Sequence, residues 1–290
     1  MNRNAFLAGA ASCGVATSLL PIRARAENLH DAVAAIAASS SGVVGAYARR
    51  LGAGEAALSY NSEVHFPTAS VIKVLILVSL YQAAERDPQL LTRRVRLRAS
   101  DMVGGSEFLA FARPGDAYTA RYLAKAMIVA SDNTAANALI TLLGFERINA
   151  TAQRANLRHT QLRRHFLDYT AIVKHSENLT TPHDIGALLY QIERGSHEAV
   201  RTVASPQSCR AMIDLMYQQE DRDKIVRGLP KGTPVANKTG EIDGVRNDVA
   251  IVDPFGDDPY VLTVLTKNLR DYGDGLTAIR RIARAVNSAI

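Results

Sequence analysis

Phe66-Pro67-Thr68-Ala69-Ser70-Val71-Ile72-Lys73-Val74-Leu75-Ile76-Leu77-Val78-Ser79-Leu80 decides how the rest of the chain is read. An extended Phe-Pro pair runs into a strongly apolar stretch. The Thr-Ala-Ser group sits where a helix starts, because small hydroxyl residues can satisfy free backbone N–H groups at that end. After Ser70 the run of Val, Ile and Leu has no polar face except at Lys73. A helix that is apolar on nearly all sides must be buried, so it is expected to be the central helix of a domain. Ser70 and Lys73 are three residues apart and share a face, one turn from the helix start.

Burying a lysine is costly unless the amine is paired or neutral. Desolvation and the positive end of the helix dipole both push its pKa down. The dipole contributes only about 0.3–1 kcal/mol, so desolvation or a second cation must supply the rest. A neutral Lys73 could take the Ser70 proton and turn that hydroxyl into a nucleophile. The bland alternative is a capping serine beside a lysine whose amine reaches back to water.

The chain has 290 residues, 47% of them apolar and 21% charged, enough for one large domain or two interleaved lobes. Its N-terminus reads as a secretory leader. Asn2-Arg3-Asn4 precedes the apolar Ala5–Leu20, and Ala24-Arg25-Ala26 forms a cleavage site after Ala26. Cys13 faintly resembles a lipoprotein site but lacks the leucine usual three residues earlier. Cleavage would remove Arg3, Arg23 and Arg25 and no acid, lowering the net charge from +6 to +3. That mild excess, with no dense basic patch, argues against nucleic acid. Only Cys209 would remain, so no intrachain disulfide is expected. No later stretch is long and uncharged enough to span a membrane. The seven histidines, His30, His65, His159, His165, His175, His183 and His197, form no metal-binding spacing, so neither metal nor cofactor is expected.

An amphipathic helix over 27–40 precedes two strands, Gly42–Leu51 and Ala56–Asn61, joined at Gly52-Ala53-Gly54. Residues 85–120 read as loops with short helices. Helical patterns follow at Tyr118–Ala130, Thr134–Leu143 and 146–158. Residues 159–181 lack a clean period and read as a long surface loop. Thr181-Pro182 opens a helix to about Arg194, and Ala204–Gln219 forms another. The period then changes to strands at Pro234–Lys238, Asp248–Asp253 and Tyr260–Lys267, with a closing helix over Gly275–Ala289. The expected class is therefore α+β. One antiparallel sheet is built from both chain ends, terminal helices cover one face, and a helical insert packs on the other. In residue terms, 27–65 and 220–290 form the α/β lobe and 66–219 the helical lobe.

Two further signals join Ser70-x-x-Lys73. Ser131-Asp132-Asn133 breaks two helical patterns, where an N-cap would also sit. Lys238-Thr239-Gly240 lies at a strand end. The three together match the motifs of the penicillin-recognising serine enzymes. Phe66-Pro67-Thr68-Ala69-Ser70, Ser131 through Asn137, and Asn178-Leu179-Thr180-Thr181-Pro182 resemble the class A β-lactamase branch in particular, across about residues 30–290. The resemblance implies that Ser70 is acylated with Lys73 as proton partner and that Ser131 passes a proton to the leaving nitrogen. It also implies that Asn133 holds a substrate amide and that Lys238 with Thr239 draws in a substrate carboxylate. Gly240 would let the strand approach the substrate, and the backbone N–H groups of Ser70 and Glu241 would form the oxyanion hole.

The 159–181 loop departs from that family. Class A enzymes carry a Glu-x-x-x-Asn whose glutamate activates the deacylating water, whereas this loop reads Leu162-Arg163-Arg164-His165-Phe166-Leu167-Asp168-Tyr169-Thr170. Counting back from Thr181-Pro182 places His165 near the missing glutamate and Tyr169 near the asparagine. Asp168 is the nearest carboxylate. It is either the deacylating base or an ion-pair partner of Arg163 or Arg164. The expected activity is a periplasmic or secreted, monomeric serine hydrolase of the class A type acting on a β-lactam. A D-Ala-D-Ala peptidase or esterase with slow deacylation, or a non-catalytic binding module, stands as the alternative.

Overall fold

The computed structural model describes residues 22–290. Cys13 and all but the last residues of the expected leader lie outside them. Helix α1 (Ile22–Ala38) leads into strands β1 (Val43–Arg50) and β2 (Leu58–Tyr60). A two-residue strand β3 (Phe66–Pro67) and a 3-10 turn (Ala69–Ile72) feed helix α2 (Lys73–Arg86). The stretch read as loops with short helices instead holds a paired ribbon, β4 (Arg94–Arg96) with β5 (Ala117–Thr119). Helices α3 (Ala120–Val129), α4 (Asn133–Leu143) and α5 (Phe145–Arg154) follow. The expected long loop contains helix α6 (Tyr169–Val173) and strand β6 (Leu179–Thr180), which pairs with β3. Helices α7 (Pro182–His197), α8 (Pro206–Tyr217) and α9 (Ile225–Gly228) precede β7 (Val235–Ile242), β8 (Val245–Val252) and β9 (Tyr260–Lys267). Helix α10 (Tyr272–Ala289) closes the chain.

The five-stranded sheet runs β2-β1-β9-β8-β7, every neighbour antiparallel. It is thus built from both chain ends. Period-two alternation divides its side chains between two cores. Val44, Ala46, Ala48, Ala250, Val252, Leu262 and Val264 pack with α1 and α10, through Leu29, Val33, Ile279, Ile282 and Val286. Tyr47, Val249, Ile251, Val261 and Leu265 face the larger core of the helical side. Helix α2 is the axis of that core. Val74 through Leu80 are fully or almost fully buried, including the hydroxyl-bearing Ser79. At about 1.5–3 kcal/mol per buried Val, Leu or Ile, this single helix contributes a large share of the hydrophobic term.

Two boundaries differ from the sequence reading. Strand β7 continues through Lys238-Thr239-Gly240 to Ile242, so the motif lies within the strand, not at its end. The turn to β8 is the two-residue Asp243-Gly244, with Gly244 at φ +68°, a sequence that suits tight hairpins. Among the described residues no helix is long and apolar enough to cross a membrane.

Candidate active site

Ser70 sits in the 3-10 turn, one residue after Ala69, whose φ is +45°. Ser131 also has a left-handed backbone, at φ +58°. Each such non-glycine residue costs on the order of 1–3 kcal/mol and persists only where its surroundings hold it. Here the Thr68 N–H donates to the Asn178 carbonyl at 2.9 Å, and Asn247 Nδ2 donates to the Pro67 carbonyl at 2.9 Å. On the other side the Asp132 N–H reaches the Ala126 carbonyl at 3.1 Å. Asp132 is the N-cap of α4, accepting the Ala135 N–H at 2.8 Å while its second oxygen takes the Leu109 N–H at 3.0 Å. Thr68 does not cap α2 as its position suggests, because its hydroxyl turns to the Ala69 carbonyl.

These two bends bring four side chains together. The Lys73 amine lies within hydrogen-bond distance of Ser70 Oγ at 3.0 Å, Ser131 Oγ at 3.2 Å, the Ser131 carbonyl at 2.6 Å and Asn133 Oδ1 at 2.8 Å. Lys238 Nζ approaches Ser131 Oγ from the other side at 3.0 Å. Both lysines are fully buried. Burial first, and then the Lys238 charge, holds the Lys73 amine well below the usual lysine range. Burial brings Lys238 down to about 7. Burial and the neighbouring Lys238 thus favour the neutral amine, which can receive the Ser70 proton.

Strand β7 forms one wall. It is an edge strand, and a Cβ at Gly240 would come within 2.9 Å of both the Ser70 nitrogen and the Thr68 carbonyl. Only a glycine lets the strand lie this close to the nucleophile. Thr239 and Glu241, two apart, present the same face of β7. Together with Ser70, Ser131 and Asn133 they line a cleft of about 660 Å³.

A model described as the β-lactamase enzyme family matches residues 28–290. The chain belongs to this family. It is a hydrolase of the serine β-lactamase type. β-Lactamase L2 of Stenotrophomonas maltophilia is 28% identical over 246 residues, 80% of this chain and 77% of that protein. The crystal structure of a β-lactamase from Sphaerobacter thermophilus is 32% identical with a TM-score of 0.77, covering 89% of this chain and 96% of the other. The structure of PBP-A is 29% identical with a TM-score of 0.81, covering 90% and 95%. A mutant of PBP-A has been solved as an acyl-enzyme complex with penicillin G.

The loop over 159–181 is where this β-lactamase family member differs from the sequence-based counting. Phe166, rather than His165 or Asp168, faces the catalytic amine: its ring centroid lies 4.4 Å from Lys73 Nζ. Buried Asn137 fixes the Phe166 backbone in both directions, accepting its N–H at 2.8 Å and donating to its carbonyl at 3.2 Å. His165 is half-buried with its ring edge-on against Phe145, and burial lowers its pKa. Asp168 caps α6, accepting the Ala171 N–H at 3.0 Å. Among the described residues no hydrogen bond joins Asp168 to Ser70, Lys73 or Ser131. The expected pairing of Asp168 with Arg163 or Arg164 is corrected. Buried Arg164 makes a two-point bond to Glu177 at 2.7 and 2.9 Å, and Arg163 bonds Gln161 at 2.8 Å. Asn178 pins the same loop, accepting the Arg163 and Arg164 N–H groups at 2.7 and 3.0 Å.

Asn133, expected to hold a substrate amide, is bonded on both ends, with Nδ2 on the Gly104 carbonyl at 3.0 Å. Asn137 and Phe166 were not singled out as functional from sequence. A usable signal was Asn137 one helical turn after Asn133 in an alanine-rich, buried segment, where an amide must find partners. Among the described residues no group of three or more His, Cys, Asp or Glu side chains is placed to hold a metal ion. His159 meets His65, edge to face at 5.0 Å.

Proposed function

We propose that the protein is exported, forms an acyl-Ser70 intermediate with a β-lactam or D-Ala-D-Ala-like amide, and hydrolyses that intermediate slowly. The observation that carries this reading is a complete proton relay, Ser70 to Lys73 to Ser131 to Lys238, beside a wall that offers Lys73 a phenyl ring instead of a carboxylate. Neutral Lys73 removes the Ser70 proton as Oγ attacks the carbonyl carbon. The oxyanion that develops is received by the Ser70 and Glu241 N–H groups, worth about 3–4 kcal/mol per donor in comparable sites. Ser131 gives its proton to the leaving nitrogen as the C–N bond breaks, and Lys73 returns one to Ser131. The product is an ester on Ser70.

Hydrolysis of that ester needs a water whose proton is taken as it attacks. A positioned base contributes typically 10²–10⁴-fold. Asp168 and His165 are the local candidates, yet their side chains are engaged at the α6 N-terminus and on Phe145. The amine of Lys73 remains as a weaker acceptor. This favours a long-lived acyl-enzyme, and the likeness to PBP-A, a mutant of which was solved as an acyl-enzyme with penicillin G, supports acylation of the serine. A peptidase or esterase acting on the same serine is the second reading, favoured by the Phe166 wall. A pure binding module is disfavoured, because the cost of burying Lys73 against Ser70 serves no binder. Export rests on the leader pattern of residues 1–26.

The test is intact-mass measurement during incubation with penicillin G, followed by peptide mapping. A one-to-one adduct on the Ser70 peptide, absent in Ser70→Ala, is the expected result. No adduct at any time, or an equal adduct in Ser70→Ala, overturns the proposal.

A further inference from the structure

Beside the oxyanion strand lies a buried cation that the acylation chemistry does not use. Lys224, with 1% of its side chain exposed, pairs with Asp221 and meets Glu241 Oε1 at 2.6 Å. Burial opposes its charge, but the Asp221 and Glu241 bonds outweigh this and raise its pKa. The Tyr272 hydroxyl donates to the same Glu241 oxygen at 3.2 Å, and the Arg246 guanidinium lies 3.6 Å over the Tyr272 ring. Asp221, Thr239 and Glu241 all line the Ser70 cleft.

The buried Lys224 ammonium beside β7 is therefore already taken by the protein's own carboxylates. An incoming carboxylate at Thr239 would find the nearby Lys224 ammonium already bonded to Glu241. It would also approach Glu107, Glu220 and Asp223, which line the same cleft with Arg222 as the one partly compensating cation in that lining stretch. Like charges brought together in a cleft repel, and displacing a charge-assisted bond costs more than displacing a neutral one.

We propose that Glu241 is a specificity-determining residue: seated on Lys224 and Tyr272, it occupies the anion-receiving end of the cleft and slows acylation by an amide carrying a carboxylate there relative to the same amide left uncharged. This rests on the acyl-Ser70 reading. Removing the Glu241 charge would take one of the two carboxylates bonded to Lys224 away, leaving Asp221 and the more distant Asp248, and open that side of the ammonium to a substrate carboxylate.

The experiment compares acylation rate constants for penicillin G and its methyl ester, which differ only in the charge at this end. The acid-to-ester ratio is measured in the wild type, in Glu241→Gln and in the double variant Glu241→Gln with Lys224→Met. The expected ratio rises about tenfold or more in Glu241→Gln, as for one charge-assisted bond gained, and falls back towards wild type in the double variant. A change of less than about threefold in Glu241→Gln, in a protein whose melting curve matches wild type, overturns the inference and leaves the acyl-serine reading standing. A double variant that keeps the raised ratio refutes Lys224 as the receiver. No acylation of any protein by either compound overturns the acyl-serine reading, and this inference with it.

Discussion

Replacing Phe166 by glutamate is the most informative single change, because it alters one neighbour of Lys73 and replaces no residue of the relay. The ring centroid stands 4.4 Å from Lys73 Nζ, and the backbone at 166 is clamped by Asn137, so a carboxylate there is presented to the amine. Over that distance an ion pair is worth about 4 kcal/mol at an effective dielectric of 20. The pairing restores a proton acceptor next to the acyl-ester, for which a gain of about 10²–10⁴-fold in deacylation is the ordinary range. It also favours the charged form of Lys73, so acylation slows unless the new carboxylate takes over as base. Turnover alone would mix the two effects. The assay is therefore acyl-enzyme lifetime, followed by intact mass after removal of free penicillin. Phe166→Gln serves as the control, with the same shape and no charge. Lost ring packing destabilises both variants by about 1–3 kcal/mol. The lifetime is expected to shorten at least about a hundredfold in Phe166→Glu and by no more than a few-fold in Phe166→Gln. If glutamine shortens it as much as glutamate, the ring acts by excluding water, and the missing-base argument is wrong. If neither does, the wall at 166 is irrelevant to deacylation.

Gly240→Ala forces a Cβ to within 2.9 Å of the Ser70 nitrogen and the Thr68 carbonyl, both backbone atoms that cannot swing aside. Acylation is expected to fall by about tenfold or more with little loss of thermal stability, since a roughly 1 Å misplacement at a reacting centre can cost a hundredfold; an unchanged acylation rate refutes the close-approach argument. Glu193, buried and 4.0 Å from the His197 ring, has its carboxyl pushed up by burial to about 7 from 4.5. Below pH 4.5 both folded and unfolded chains hold the proton. Between 4.5 and 7 only the folded chain does, so stability falls as pH rises, and above 7 the full cost, on the order of 2–3 kcal/mol, is felt. Glu193→Gln is thus expected to be the more stable protein at pH 8 and no more stable at pH 4.5, as read by denaturant melts; a constant offset at both pH values contradicts the assignment.

Much of the frame is legible because it rests on periodicity. The switch from the all-apolar run of α2 to two-residue alternation in β8 and β9 reports burial on all sides against burial between two cores. The capping residues Asp132 and Thr181 mark their helices from sequence, since local hydrogen bonds decide them. What sequence cannot show is decided by distant partners. Strands β4 and β5 are three residues each, the first with an arginine at each end and the second without charge, and they form a ribbon only because each supplies the other's ladder. The loop's course is set by Asn137, 29 residues from Phe166, and by the Arg164–Glu177 bond. That course, and not spacing from Thr181-Pro182, brings Phe166 to Lys73 and turns Asp168 to α6. Lys224 shows the same limit: a lone Lys in Asp221-Arg222-Asp223-Lys224 reads as a solvated charge run, yet the fold buries it between two carboxylates.

The central claim is that acylation is intact while deacylation lacks its base. Single-turnover and burst kinetics with a chromogenic cephalosporin test it most directly. A burst of about one product equivalent per enzyme, followed by a steady rate about 10²-fold or more below the burst rate, is the predicted result. Linear product release from the first turnover, with no burst and no trapped Ser70 ester, would contradict it.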